Sequence, residues 1–538
     1  MPEDVCDRRT PDEVVVRTSP RQPVLDDPTL GVPVPEPDGG EPAHRLVTLG
    51  DSLTHGFMSG AILRTDLSWP AIVAYELGLR ENDFTFPTYE WPLGPGGLPL
   101  DLERVAREFA QRFGDRLDFW EIVSAAAWVF RHLDRIEDYW ERGPGARVPD
   151  AGRPFHNMAV YGWDLLDALV LNADLVAARI EEPSDDALNQ LVQSHGSRAA
   201  WPVLQRARRG GTPDGAARTV FEAARAMGDD GGIETLVVAL GANNALGSVL
   251  SLAPCWTPDD YLDAPPVERL ERKAAFNVWR PSHFAAEWAD VVARLRSISA
   301  EHVIVTTVPS VTIAPIARGV GGKVRPQSRY FPYYTRPWIS DDDFNPQRDP
   351  HLTAEEARAI DSAIDAYNET IIESVRSARQ DQHDWYVFDL AGLLDQLAAR
   401  RYLHSSWTRP EWWRPYDLPV ALQDLDPTPN TRFYRAGRSG RTDGGLISLD
   451  GVHPTTIAYG LVAREVMRIM TTAGVTFRDR SGVPRTGPVD VDFARLIAAD
   501  TLINDPPAAV SNTLSLLGWL DDRLDWVNRM LPFLPNPL

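Results

Sequence analysis

The chain has 538 residues, 43% hydrophobic and 24% charged, which allows a large core and argues against a disordered chain. Its length predicts more than one ordinary domain, or one domain with large insertions. A formal net charge of -22, from 76 acidic and 54 basic residues, disfavours nucleic acid and anionic membrane surfaces as partners, and two cysteines, Cys6 and Cys255, make no disulfide framework.

Residues 1–43 are rich in proline and acids, end in PVPEPDGGEPAH, and read as a leader or a surface-hugging arm. The opening MPEDVCDRRTPDEVVV carries acids and no apolar run, so it does not read as a secretory signal, and the default expectation is the cytosol. RLVTLG, 45–50, is a short β-branched run with a glycine exit and predicts a buried strand. SWPAIVAYELG, Ser68 to Gly78, predicts a helix with a serine cap, an early proline and a glycine stop. Further strands are expected at 155–162, 234–241, 301–309 and 384–390, and further helices at 282–300, 353–380 and 456–470. Thr353 and Glu356 have the spacing of a capping box. Strands alternating with helices imply an α/β fold with a mostly parallel sheet covered on both faces.

The remaining intervals, near 82–154, 163–230, 310–350 and 391–445, read as insertions on one core spanning 44–475. The uncharged run Thr235 to Pro258 is long enough to suggest a membrane span. Its paired asparagines and internal glycines point instead to a buried strand, a loop and an apolar turn. No transmembrane segment is therefore expected. Residues 476–538 form a C-terminal extension whose end is an amphipathic helix, with Leu516, Leu517, Leu520, Leu524, Val527 and Leu531 on one side. Acids on its polar side favour docking onto the protein body over contact with lipid.

Five residues stand where chemistry gathers. Ser52, Gly162 and Asn243 each follow an expected strand, and Asp450 and His453 lie in the loop entering the last helix. In a parallel sheet these points share one rim, the rim where α/β proteins bind ligands. A serine hydroxyl needs a base, His453 supplies one, and Asp450 three residues earlier orients the imidazole. The Ser52 and Gly162 N–H groups and the Asn243 amide are candidate oxyanion donors. Each piece alone has a plainer reading: Asp51 and Ser52 as a helix cap, Gly162 as a turn, Asn243 and Asn244 as a loop bonded to itself, Asp450 and His453 as a surface pair.

His55 reads as a polar loop residue rather than a competing base, and His156 is open between core and surface. No histidine or cysteine spacing suggests a metal, and the glycine clusters at 94–97 and 319–323 lack the pattern of a phosphate loop, so no cofactor is expected. Two stretches mixing aromatics and arginine, 328–338 and 401–419, read either as pocket walls or as small cores of their insertions.

LGDSLTHG, NMAVYG, LGANN and DGVHPT together resemble the four blocks of the GDSL or SGNH hydrolase superfamily. The resemblance implies Ser52 as nucleophile and first oxyanion donor, Gly162 and Asn243 as the other donors, and Asp450 and His453 as the rest of a catalytic triad. It also implies a three-layer α/β/α flavodoxin-like sandwich. The chain departs from the family at Asn244, where an aspartate is usual, and in MSGAILRTDLS, which delays the first helix. The expected activity is hydrolysis of a small-molecule or lipid-like carboxylic ester. The alternatives are acyl transfer from the same site and a non-catalytic binding protein on the same fold.

Overall fold

A computed structural model describes residues 9–17, 19–35, 40–89, 97–114, 122–183, 192–404, 406–507 and 518. The amphipathic helix expected at the end of the chain lies outside the described residues, apart from Gly518. At the centre are β1 (His44–Gly50), β2 (Ile233–Ala239), β3 (Ala300–Thr306) and β4 (Trp385–Phe388), hydrogen-bonded in that order. All three pairings are parallel, with Thr48 opposite Val237, Val237 opposite Ile304, and Ile304 opposite Tyr386.

The helices used below are α1 (Ser52–His55), α2 (Trp69–Glu76), α3 (Leu165–Val170), α4 (Val220–Asp229), α5 (Asn243–Ser251), α6 (Pro281–Leu295), α7 (Ala354–Gln380) and α8 (Thr456–Thr472). Alternate strand residues enter two apolar clusters. Val47, Leu49, Leu236, Val238, Val303, Val305 and Val387 pack with Phe221 of α4, Trp288 of α6 and Ile360 of α7. Leu46, Val237, Ile304, Tyr386 and Phe388 pack with Ile72 of α2 and with Leu461 and Val466 of α8. Both faces are apolar, which is why these strands read as continuous hydrophobic runs. A slip of one residue would exchange the two sets, so the register is strongly specified.

The helix ends follow local chemistry. Thr353 and Glu356 form the expected capping box at α7. Ser68 precedes α2 but does not cap it through its side chain; its hydroxyl donates to Thr65 O at 2.8 Å. Two expectations need correction. The stretch after Gly241 is not a loop and turn: α5 starts at Asn243, once Gly241 has turned the chain at φ +114. The stretch 155–162 is not a regular strand. It makes one parallel bridge, Asn157 to Thr48, with Thr48 N donating to His156 O at 2.8 Å and Val160 N to Gly50 O at 3.0 Å. The Asn157 side chain replaces ladder partners, accepting from Ala159 N at 3.1 Å and donating to Thr54 O at 2.9 Å.

Both edges of the sheet are covered, which removes an open template for pairing with other chains. The 156–160 segment lies along β1. On the far side Val387 N donates to Pro28 O at 3.0 Å, so the N-terminal arm lies along β4. Arg17 grips Glu369 of α7 with two bonds of 2.5 and 2.7 Å, and Arg21 reaches Asp389 at 2.6 Å. Among the described residues no helix is long and apolar enough to cross a membrane.

Candidate active site

The turn after β1 is capped by Asp51, whose carboxylate accepts from Leu53 N at 3.0 Å. Gly56 then ends α1 in the left-handed region at φ 91. Because Asp51 makes the cap, the Ser52 hydroxyl is not used for it. Ser52 is buried, and its N–H has no acceptor among the described residues.

Asp450 lies fully buried before α8. One carboxylate oxygen accepts from Val452 N and His453 N, both at 2.8 Å. The other accepts from Gly60 N at 3.0 Å and stands 3.0 Å from His453 Nδ1. Burial alone would raise the Asp450 carboxyl, but the His453 ring and the N–H groups of His453 and Val452 hold it below the usual carboxylate range. An ionised carboxylate only accepts, so Nδ1 carries the imidazole proton and Nε2 keeps the lone pair. Nε2 is buried and has no hydrogen-bond partner among the described residues, so no hydrogen bond joins it to Ser52. The Ser52 turn is nonetheless close. The Phe57 ring, just past the Gly56 that ends α1, has its centroid 4.5 Å from that of His453.

The insertion MSGAILRTDLS links the two loops. Besides the Gly60 bond to Asp450, Ser59 N donates to Ser448 Oγ at 2.9 Å, and Ser59 Oγ donates to Glu103 at 2.9 Å. No sequence pattern announces this role, because Ser448 and Asp450 lie almost four hundred residues away.

Gly162 takes φ +77, a conformation that favours glycine, and its N–H also has no acceptor among the described residues. The preceding Tyr161 N donates to His55 Nδ1 at 3.1 Å. His55 is fully buried, and burial pushes it down to about 3, so the ring is neutral with its proton on Nε2. Its free lone pair is already taken. His55 is therefore neither a competing base nor a polar loop residue; it ties the Gly162 loop to the Ser52 turn. His156 is buried against His44, with Nε2 to Nδ1 at 3.1 Å, and its side chain has no bond to these loops.

Asn243 opens α5, and its Nδ2 donates to Trp163 O at 2.8 Å. That carbonyl fixes which end of the amide faces the Gly162 loop and leaves the second Nδ2 hydrogen unused. Asn244 accepts from Leu165 N of α3 at 3.3 Å, while Trp279 N donates to its backbone oxygen at 2.9 Å. The neighbouring Asp164 and Asp167 share buried Lys273, which stands 2.6 Å from Asp164. Asn244 bonds Leu165, the residue after Asp164, so a carboxylate at 244 would add a third acid to this buried group, where burial already raises Asp167 to about 7. This is a physical reason for asparagine there.

Thus Asp450 and His453 meet directly. Asn243 and Gly162 meet through Trp163, Gly162 and the Ser52 turn through His55, and the Ser52 turn and Asp450 through Gly60. The aromatic stretch 401–419 builds its own small core from Tyr402 and Trp413 with Trp412 against them, while Trp407 is exposed. The chain matches no protein-family model and no curated protein.

Proposed function

We propose that the chain is a serine-dependent hydrolase of carboxylic esters. The observation that carries this reading is the buried Asp450–His453 pair, with Nε2 unpartnered, together with the N–H groups of two buried residues, Ser52 and Gly162, that have no acceptor among the described residues. Buried backbone donors without acceptors are rare in folded proteins and mark places where a ligand atom completes the bonding.

In this reading Ser52 Oγ attacks the ester carbonyl as its proton passes to His453 Nε2. The carbonyl electron pair becomes an oxyanion, held by the N–H groups of Ser52 and Gly162 and the second Nδ2 hydrogen of Asn243. Asp450 stabilises the imidazolium without taking its proton. Collapse breaks the bond to the alcohol, which leaves with the proton from His453. Water, deprotonated by His453, then attacks the acyl-enzyme; the acyl–Oγ bond breaks, His453 returns the proton to Ser52 Oγ, and the acid leaves.

The strand order supports the resemblance to the three-layer flavodoxin-like fold. Counting the 156–160 segment at the β1 edge, the spatial order by chain position is 2-1-3-4-5. In that arrangement the chain reverses direction at β1, and Ser52 stands at the carboxyl end of that strand. The test is turnover of a chain-length series of p-nitrophenyl esters, with products identified with and without an acceptor alcohol. Acid and alcohol in equal amounts support hydrolysis. A transferred acyl ester assigns the same site to an acyltransferase, and no turnover of any ester favours a binding protein.

A further inference from the structure

The loop that carries Asp450 has a basic groove at its side. Ile316 N donates to Gly451 O at 3.0 Å, and a side chain at Gly451 would strike Phe433. Phe433 and Pro315 therefore flank the residue next to Asp450, and both also line a groove of about 290 Å³. Its other walls are Arg318, Pro337, Arg400, Arg432, Arg435 and one carboxylate, Asp443. A second, narrower cavity shares Pro315, Arg318 and Arg400 and is bordered by Lys323.

The carboxylates near these arginines do not balance them. Arg318 pairs with Asp341, and Arg432 with Asp443 at 3.2 Å. Arg400 donates to Gly319 O at 2.7 Å and lies over the Phe331 ring at 5.1 Å; it makes no salt bridge among the described residues, and the carboxylate that acts on it, Asp341, is already paired with Arg318. Arg435 is exposed and has no side-chain partner among the described residues. Burial first, and then Arg318, push the Arg400 guanidinium below its ordinary value, as expected where like charges outnumber their partners. In a chain of net charge -22 such a local excess needs a reason. Guanidiniums present planar forks that match the oxygens of a phosphate.

We propose that this groove is a subsite for a phosphate group carried by the ester, bound by Arg400 and Arg435 with Arg318 and Arg432 beside them. The assignment to a substrate rests on the serine-hydrolase reading; the anion site itself does not. A phosphate seated there would lie next to the Asp450–His453 loop, so the enzyme would prefer phosphate-bearing esters to neutral ones of the same shape.

The binding test uses the full chain carrying Ser52→Ala, titrated calorimetrically with inorganic phosphate at fixed ionic strength. The expected result is saturable binding, weakened about tenfold or more by Arg400→Gln and by Arg435→Gln and unchanged by Arg294→Gln on the exposed face of α6. Arg435 is exposed, so its variant tests the site even if Arg400→Gln fails to fold. Phosphate binding that is absent, or equal in all variants, overturns the subsite. With phosphate bound, co-sedimentation with phosphatidylglycerol vesicles assigns the group to a lipid headgroup, and its absence to a soluble phosphate ester; both support the subsite. In the Ser52 protein, the ratio of kcat/KM for acetylated glycerol 3-phosphate over acetylated glycerol should exceed about ten and fall towards one in either arginine variant. Phosphate binding without reaction at Ser52 would overturn the hydrolase reading and leave the anion site standing.

Discussion

Asp450→Asn separates the proposed chemistry from simple packing. Each Asp450 oxygen accepts from two N–H groups, so an amide nitrogen in either position faces two donors. If the amide nitrogen faces Gly60, that N–H is orphaned and His453 Nδ1 must become an acceptor. The imidazole proton then moves to Nε2, where a base cannot have it. The expected stability loss is about 1–3 kcal/mol, the cost of a buried unsatisfied donor. The expected fall in kcat is about 10³- to 10⁴-fold, equivalent to about 4–5 kcal/mol of barrier. Stability is read from urea unfolding and kcat from release of p-nitrophenol under conditions where circular dichroism shows a folded protein. A folded variant retaining more than about a tenth of wild-type kcat would refute the role given to Asp450.

His55→Phe removes the acceptor for Tyr161 N, so stability should fall by about 1–3 kcal/mol and kcat by about 10- to 100-fold as the Gly162 N–H shifts, with little change in KM; unchanged kinetics would show that this tie does not position the oxyanion donor. Asn244→Asp adds a carboxylate next to Asp164 and Asp167, so it should lower the melting temperature more at pH 8 than at pH 5; a pH-independent effect would remove charge as the cause. Asp500 is pushed up to about 7 by burial while it accepts from Ile457 N at 3.0 Å. Between the usual carboxylate value and 7 the folded state keeps a proton that the unfolded state has lost, so this group withdraws stability as pH rises through that window. The free-energy difference between Asp500→Asn and wild type should therefore shift in favour of the variant by about 2–4 kcal/mol from pH 4 to 7 and flatten above, whereas a flat difference throughout would show an ordinary carboxyl.

The four strands of the sheet were legible because both faces are buried, which writes each as an unbroken apolar run. The 155–162 stretch carries the same signal, but Asn157 spends its amide on local bonds and leaves a single bridge. In GANNALG the glycine and paired asparagines look like a loop, yet Gly241 completes the turn by itself and the helix begins at Asn243. Asp450 and His453 were legible from spacing, since three residues suffice to bring carboxylate to imidazole. The supports of the site were not. Gly60, His55 and the Trp163 carbonyl act through partners distant in the chain, and a neutral buried histidine has the same letter as a catalytic one. The groove of arginines beside Gly451 is likewise assembled from separate insertions, at 315–318, 400 and 432–435.

Ser52, activated by His453, is the proposed nucleophile. The most direct test of this assignment is reaction of the purified chain with a fluorophosphonate probe, with the modified peptide located by mass spectrometry. One adduct is expected, on the peptide containing Ser52, absent in Ser52→Ala and strongly slowed in His453→Gln. A folded protein that resists the probe, or that is labelled equally after Ser52→Ala, would contradict it.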